Sequence, residues 1–357
     1  MTTSNEDEKN GLSRRTLFGA MAGAAAAVPL AGGALAQPGR GGAAAGPPPN
    51  PLYQRIDAPI NSTASRGAAQ QGGRGPIRVL FITAYHHFDR ENLFRTLDMF
   101  GEDITWTHVE HPAAPYFFDP KLAANFDVFL FFDAYAGRRT TINPDGTRTN
   151  RYEPPSAEMQ ANLKALLTQG NHGFVMLHHS IASWVHTWPP GVNGTNAYVE
   201  MMGGAADWGT PLNNIRGVNY PRSGWRHATE QRITVVDKTH PVTAGVEDFF
   251  IIDEPYLCPM FEDSVHCLTR TNFVATVENF ADGPAGRNAG PGHPRGSNMT
   301  SWVKTAENTP LVYIQHGHDN YVWSHPAWRR MVVNAIKWTH SSEGKAWAKA
   351  NMKRIFV

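Results

Sequence analysis

SAEMQANLKALLTQGNHGFVMLHH, residues 156–179, holds one helix and one strand with their punctuation. Ser156 is a residue type that caps helices, and Met159, Leu163, Leu166 and Leu167 recur at the spacing of a single apolar helix face. Gly170 ends that pattern, and Gly173 to His178 follows as a short apolar run without alternation. Such a run fits a strand buried on both faces. A helix leading into a doubly buried strand is the repeating unit of a parallel sheet covered by helices on both sides.

The same pattern extends in both directions. Residues 77–83 form an apolar, β-branched run, and Asp89 then precedes helical spacing at Leu93, Phe94, Leu97 and Phe100, closed by Gly101. Residues 104–109 and 127–132 read as two further strands, and later ones are predicted at 232–237, 265–268, 273–277 and 311–315. Pro326 opens a last helix that runs through Trp338. The fold class expected is α/β, a doubly wound, mostly parallel sheet with helices on both faces, over residues 76–340. Residues 341–357 read as a C-terminal tail.

Ser13-Arg14-Arg15-Thr16-Leu17-Phe18 stands directly before a weakly apolar Ala/Gly run, and Ala34-Leu35-Ala36 is a small-x-small cleavage pattern. Residues 1–36 therefore read as a twin-arginine signal peptide, with mature protein starting at Gln37 and a periplasmic or secreted destination. A spanning helix needs about 20 strongly apolar residues, so no membrane association is expected after cleavage. Residues 37–75, rich in Gly, Pro, Ala and Gln, carry too few large apolar side chains to bury and read as a disordered linker.

The net charge is +1 from 32 basic and 31 acidic residues, with no basic stripe. Counterion release from a polyanion could supply little affinity, which excludes nucleic acid and favours a small, nearly neutral partner. The oligomeric state is open. Cys258 and Cys267 are too few for a disulfide scaffold or a Cys-rich zinc site; they either pair with each other or remain thiols. There is no Gly-x-Gly-x-x-Gly after the first strand and no Walker loop, so no nucleotide cofactor is expected.

In a doubly wound sheet, reactive groups gather beyond the carboxyl ends of the strands. That rule selects Tyr85, His86, His87 and Asp89 after the first strand, Asp133 and Tyr135 after the third, and His178, His179 and Trp184 after the fourth. His316, His318 and Asp319 follow the strand near residue 311. Histidine ligates metals and serves as acid or base near neutrality. His86, His87, His178 and His318 are the candidate metal ligands, for a divalent ion of the zinc or manganese type. His178, His179 and Glu254 are the candidate catalytic residues.

Glu254, in Asp253-Glu254-Pro255-Tyr256, reads either as a base or ligand or as part of a surface turn set by Pro255. His240-Pro241 reads as turn chemistry. Trp184, Trp188, Trp208, Trp225 and Trp323 lie in Gly- and Pro-rich segments, where aromatic faces suit sugar rings. Asp133, Trp184, Trp188 and Tyr256 are the candidate substrate-binding residues. Ser180 follows the fourth strand as an elbow nucleophile would, without the Gly-x-Ser-x-Gly spacing.

Four segments in order, residues 77–83, 173–179, 240–256 and His316-Gly317-His318, resemble the ThuA-like (trehalose-utilisation) family over roughly residues 77–340. The resemblance implies a flavodoxin-like fold related to class I glutamine amidotransferases, with His178 at the elbow where those enzymes carry their nucleophile. It also implies a sugar or keto-sugar substrate. The chain departs from the family pattern at residues 138–155 and 281–298. The function expected is exported sugar metabolism: cleavage or isomerisation of a 3-keto-glycoside, begun by proton abstraction next to its carbonyl. The alternatives are a non-catalytic carbohydrate-binding protein and an amide or ester hydrolase using Ser180.

Overall fold

In the computed structural model, which describes residues 71–357, the segment quoted above forms the helix Ala157–Gln169 and the strand Gly173–Leu177. The Ser156 hydroxyl accepts from the Met159 amide at 3.1 Å, and Gly170 closes the helix at φ +65°, a conformation open to glycine at little cost.

The strands of the main sheet are β1 (Gln71–Gly73), β2 (Ile77–Ala84), β3 (Ile104–Glu110), β4 (Val128–Asp133), β5 (Gly173–Leu177), β6 (Thr229–Val235), β7 (Phe249–Asp253), β8 (His266–Thr271), β9 (Met299–Ala306) and β10 (Thr309–Ile314). Their order across the sheet is β1-β3-β2-β4-β5-β10-β9-β8-β6-β7. The run β3-β2-β4-β5-β10 is parallel. Beyond β10 the sheet continues antiparallel through β9, β8, β6 and β7.

Side chains alternate across the parallel strands. Leu80 and Ile82 of β2 pack with helix α2 (Ala157–Gln169) on one face, while Val79 and Phe81 pack with α1 (Arg90–Asp98) on the other. A short helix α3 (Ala197–Met202) lies in the first cluster, and α4 (Pro326–His340) in the second. This is the doubly wound α/β architecture expected, with apolar side chains of both faces removed from water as the main stabilising term.

Several boundaries differ from the sequence reading. The signal peptide and most of the linker lie outside the described residues. The linker's last residues do not stay free: Gln71–Gly73 pair antiparallel with β3. Glycine allows this, because a Cβ at Gly72 would stand 2.6 Å from the Trp106 indole nitrogen. The tail is also part of the fold. Ser341 caps helix α5 (Ser342–Ala350), and buried Ile355 and Phe356 donate their amides to Glu307 Oε1 at 2.9 and 3.0 Å. Residues 273–277, expected as a strand, form a loop leading into the turn Val277–Asn279, since Asn279 and Phe280 bond back within the segment. The departure at 138–155 contains an exposed hairpin, Arg138–Ile142 with Arg148–Tyr152. Cys258 and Cys267 are free thiols. Among the described residues, no helix is long and apolar enough to cross a membrane.

Candidate functional site

Three strand ends of the parallel half turn in the left-handed region: Tyr85 after β2 (φ +61°), Tyr135 after β4 (φ +51°) and His178 after β5 (φ +50°). Such backbone costs of order 1–3 kcal/mol in a non-glycine residue and persists where surroundings fix it. At His178 the fixing contacts are visible. Its carbonyl accepts from the Tyr313 hydroxyl at 2.8 Å, and its ring Nδ1 lies 2.9 Å from the Gln315 carbonyl. A carbonyl only accepts, so Nδ1 carries the proton and the lone pair is on Nε2.

That Nε2 points into a cluster of imidazoles. It lies 3.2 Å from His318 Nδ1. His86 stacks on His179 with centroids 3.9 Å apart. One ligand-capable atom from each of His86, His178, His179 and His318 falls within 4.8 Å of the others. His178 and His179 are buried, and His86 and His318 are partly exposed.

The anion comes from the antiparallel half. β7 ends at Asp253, and the next residue, Glu254, is buried with its Oε2 3.4 Å from His178 Nε2, 3.3 Å from His179 Nε2 and 3.4 Å from His318 Nδ1. Its Oε1 lies 3.2 Å from His227 Nδ1, and the Tyr256 hydroxyl donates to Oε2 at 3.0 Å. Asp253 holds the opposing loop: its carboxylate accepts from the Gly317 amide at 2.9 Å and the His318 amide at 3.2 Å. The loop carbonyls are held too, with Trp323 donating to Gly317 O and Trp328 to His316 O. Gly317 adopts φ +153°, and a Cβ there would stand 3.2 Å from His178 Cβ.

Burial sets the proton affinities of these rings. Desolvation, with neighbouring imidazoles adding to it, pushes His86 down to about 3 and holds His178 and His179 well below the usual histidine value. His227 is also lowered by burial, against the pull of Glu254. At His318 burial again opposes the charge, but the bond and attraction to Glu254 outweigh it and the pKa rises. The centre therefore pairs neutral imidazoles with one ring that favours its protonated form.

The structure brings together His86, His178, His179, His318, Glu254 and Tyr256. Glu254 is not on a surface turn. His87 is exposed and outside the convergent set, because neighbours on an extended segment point to opposite sides. Asp133 is buried beneath the rim, where it accepts from Ser183 Oγ at 2.7 Å and lies 3.3 Å from His111 Nε2. Trp188, Trp208 and Trp323 are core residues; Trp184, largely buried, forms part of a cleft wall. Ser180 is fully buried, and its oxygen accepts from the Asp133 amide at 3.3 Å, so it is not presented as a nucleophile. His240 accepts from the Val242 amide, the turn role expected of it. The sequence reading missed His227, which stands before β6 rather than beyond a strand's carboxyl end. Its one signal was a histidine two residues from Trp225, with which it is in ring contact at 4.3 Å.

A cleft of about 630 Å³ is lined by Tyr85, His111, Arg139, Glu153 and Trp184 among others, and by none of the clustered histidines. A second, of about 400 Å³, is walled by His87, Asp89, His318 and Trp323.

The ThuA family, described as trehalose utilisation, matches residues 78–339, and so spans every element that builds this centre. The chain belongs to the ThuA family. Among solved structures, a ThuA-like protein from Parabacteroides merdae superposes with a TM-score of 0.52 at 13% identity, covering 75% of this chain and 91% of that one. A cytoplasmic protein from Salmonella typhimurium LT2 gives a TM-score of 0.39 at 10% identity over 78% of this chain and all (100%) of that one. No curated protein sequence matches. The family places this ThuA protein in sugar metabolism, and the first likeness agrees with its fold.

Proposed function

We propose that this ThuA protein is an enzyme that cleaves or isomerises 3-keto-glycosides, acting outside the cytoplasm after twin-arginine export. The observation that carries the chemistry is the placement of Glu254: a carboxylate removed from water, with both oxygens against imidazole nitrogens, next to the one histidine whose protonated form is favoured.

A carbonyl at C3 makes the C2 proton acidic. Glu254 takes that proton, and the electron pair moves into the C2–C3 bond as the C3 oxygen becomes anionic. His318, protonated beside Glu254, donates to that oxygen. When the carbonyl re-forms, the pair shifts to C1–C2 and the bond from C1 to its substituent breaks, with the leaving oxygen taking a proton from water. Water adding across C1–C2 then gives the free keto-sugar. This route needs no pair of carboxylates flanking the glycosidic bond, as ordinary glycosidases require. Isomerisation stops earlier, with reprotonation of the enolate.

The carbohydrate-binding alternative relied on loop tryptophans, and most of these are packed in the interior. The hydrolase alternative relied on Ser180, which is buried. The test is incubation of the purified protein with a panel of 3-keto-glycosides in deuterated water. Deuterium at C2 together with release of the C1 substituent is expected. Absence of both exchange and release across the panel overturns the reading. Export is tested separately by replacing Arg14 and Arg15 with Lys: unprocessed precursor retained in the cytoplasm is expected, and normal processing overturns it.

A further inference from the structure

We propose that His86, His178, His179 and His318 form a site for one divalent transition-metal ion, of the zinc, cobalt or nickel type rather than magnesium or calcium. The proposal does not require the substrate reading above and rests on four features of the cluster; with an ion bound, His318 is a neutral ligand, and its protonated form belongs to the ion-free chain.

The first is spacing. The ligand-capable atoms of the four histidines lie within 4.8 Å of one another, and His178 Nε2 stands 3.2 Å from His318 Nδ1. Imidazole nitrogens held about 2.0–2.1 Å from a tetrahedral ion are separated by about 3.4 Å, so this pair already stands near the edge length of such a polyhedron.

The second is the tautomer of His178. Metal-bound histidines commonly donate their other ring N–H to a carbonyl or carboxylate, which fixes the ring and aims the remaining lone pair. His178 makes that contact with Gln315 O at 2.9 Å and turns Nε2 inward.

The third is unmet bonding capacity. His86 Nδ1 and His179 Nδ1 are buried without a hydrogen-bond partner. Buried polar atoms are nearly always satisfied. Packing imidazole rings at centroid distances of 3.8–5.9 Å concentrates lone pairs that only a proton or a cation can share. Glu254 Oε2, 3.3–3.4 Å from three of the rings, supplies compensating negative charge and a further donor.

The fourth is access. His318, 21% exposed at its side chain, forms part of the wall of the smaller cleft, so an ion reaches the cluster without unfolding the domain. Nitrogen-rich donors select borderline ions over hard, oxygen-seeking ones, which sets the metal class. An ion there lies beside the proposed base, where it polarises a bound carbonyl as a Lewis acid.

The experiment uses the full chain, stripped with chelator and titrated with cobalt(II). One equivalent per chain is expected, with a visible d–d absorption band that zinc abolishes and millimolar magnesium or calcium leaves in place. His179→Gln and His318→Gln are expected to weaken cobalt binding at least tenfold, while His87→Gln, adjacent in sequence but outside the cluster, binds as the unaltered chain does. Circular dichroism establishes that each variant is folded. Failure of the stripped, unaltered chain to take up a stoichiometric ion at micromolar concentration overturns the proposal whatever the variants do. So does binding that folded His179→Gln and His318→Gln both retain in full. Cobalt binding without keto-glycoside turnover sinks the enzymatic reading and leaves the metal site; turnover by a chain that binds no cobalt does the reverse.

Discussion

The parallel and antiparallel halves of the sheet contribute different chemistry to one centre. From β2, β5 and β10 come the rings of His86, His178, His179 and His318, each delivered by a turn beyond a parallel strand. From the antiparallel extension come both carboxylates, Asp253 and Glu254, with Tyr256 and His227 beside them. Neither half is a site alone. The parallel half supplies the clustered imidazoles, and the antiparallel half supplies the buried carboxylate of Glu254 that lies against three of them. The lesson is that an open α/β sheet extended by antiparallel strands brings a second group of side chains over its carboxyl edge, so that imidazoles from one half meet a carboxylate from the other.

The largest test of this division is Glu254→Gln, which keeps size and removes the charge. A fall in turnover of about 10²–10⁴-fold is expected, with the melting temperature little changed; turnover close to that of the unaltered enzyme would mean that the parallel half suffices.

Asp253→Asn addresses the joint between the halves. Asp253 is a positioning residue, because it holds the Gly317 and His318 amides and touches no reacting atom. Loss of its charge is expected to weaken cobalt binding by about 10–100-fold and to destabilise the fold by about 1–3 kcal/mol in urea. A variant that melts early yet binds cobalt normally would reduce Asp253 to a structural role.

Lys304 on β9 offers a probe of the antiparallel half away from the centre. Burial pushes its pKa down to about 7, with Glu200 pulling the other way. A lysine whose folded pKa lies below its unfolded one releases its proton on folding, so stability rises with pH between the two values. The unaltered chain is therefore expected to gain stability between about pH 7 and 10 relative to Lys304→Met, by roughly a kcal/mol per pH unit at most. Parallel stability curves for the two proteins would show that the ammonium stays charged in the fold.

The smallest effect expected is at the far edge of the parallel half. A chain starting at residue 76 loses β1 and its pairing to β3, and should melt a few degrees below one starting at 71, since about 1 kcal/mol shifts a midpoint by only a few degrees. Equal midpoints would show that β1 adds nothing.

The two halves also differed in how far the sequence disclosed them. The parallel strands are short apolar runs with helices between, and the carboxyl-end rule reached His86, His178 and His318 from pattern alone. Asp253-Glu254 stood out because a carboxylate pair after Phe249-Phe250-Ile251-Ile252 has to be solvated or paired. Which of the two it was depended on β7 pairing with β6, a contact between segments that local pattern does not encode. His227 was hidden for the same reason. Trp188 and Trp208 lie in the core although their sequence context matches that of Trp184, which reaches a cleft wall, because an indole packed in an irregular segment reads the same as one at a surface cleft. His87 misled because alternation leaves undecided which of two adjacent histidines faces inward until the turn at Tyr85 is known.

The hairpin Arg138–Ile142 with Arg148–Tyr152 has a consequence for how such a protein diversifies. Its residues are largely exposed, and it meets the rim through a few polar contacts, such as Arg139 with Tyr85 and Glu153. The loop 316–318, by contrast, is tied by a carboxylate from one element and by two indoles from others. Insertions or exchanges in the hairpin reshape the cleft wall while the tied loop keeps its position. On the proposed function, selectivity and reactivity are thus separately heritable traits in this architecture, and a lineage changes the sugar it accepts without rebuilding the centre proposed to act on it.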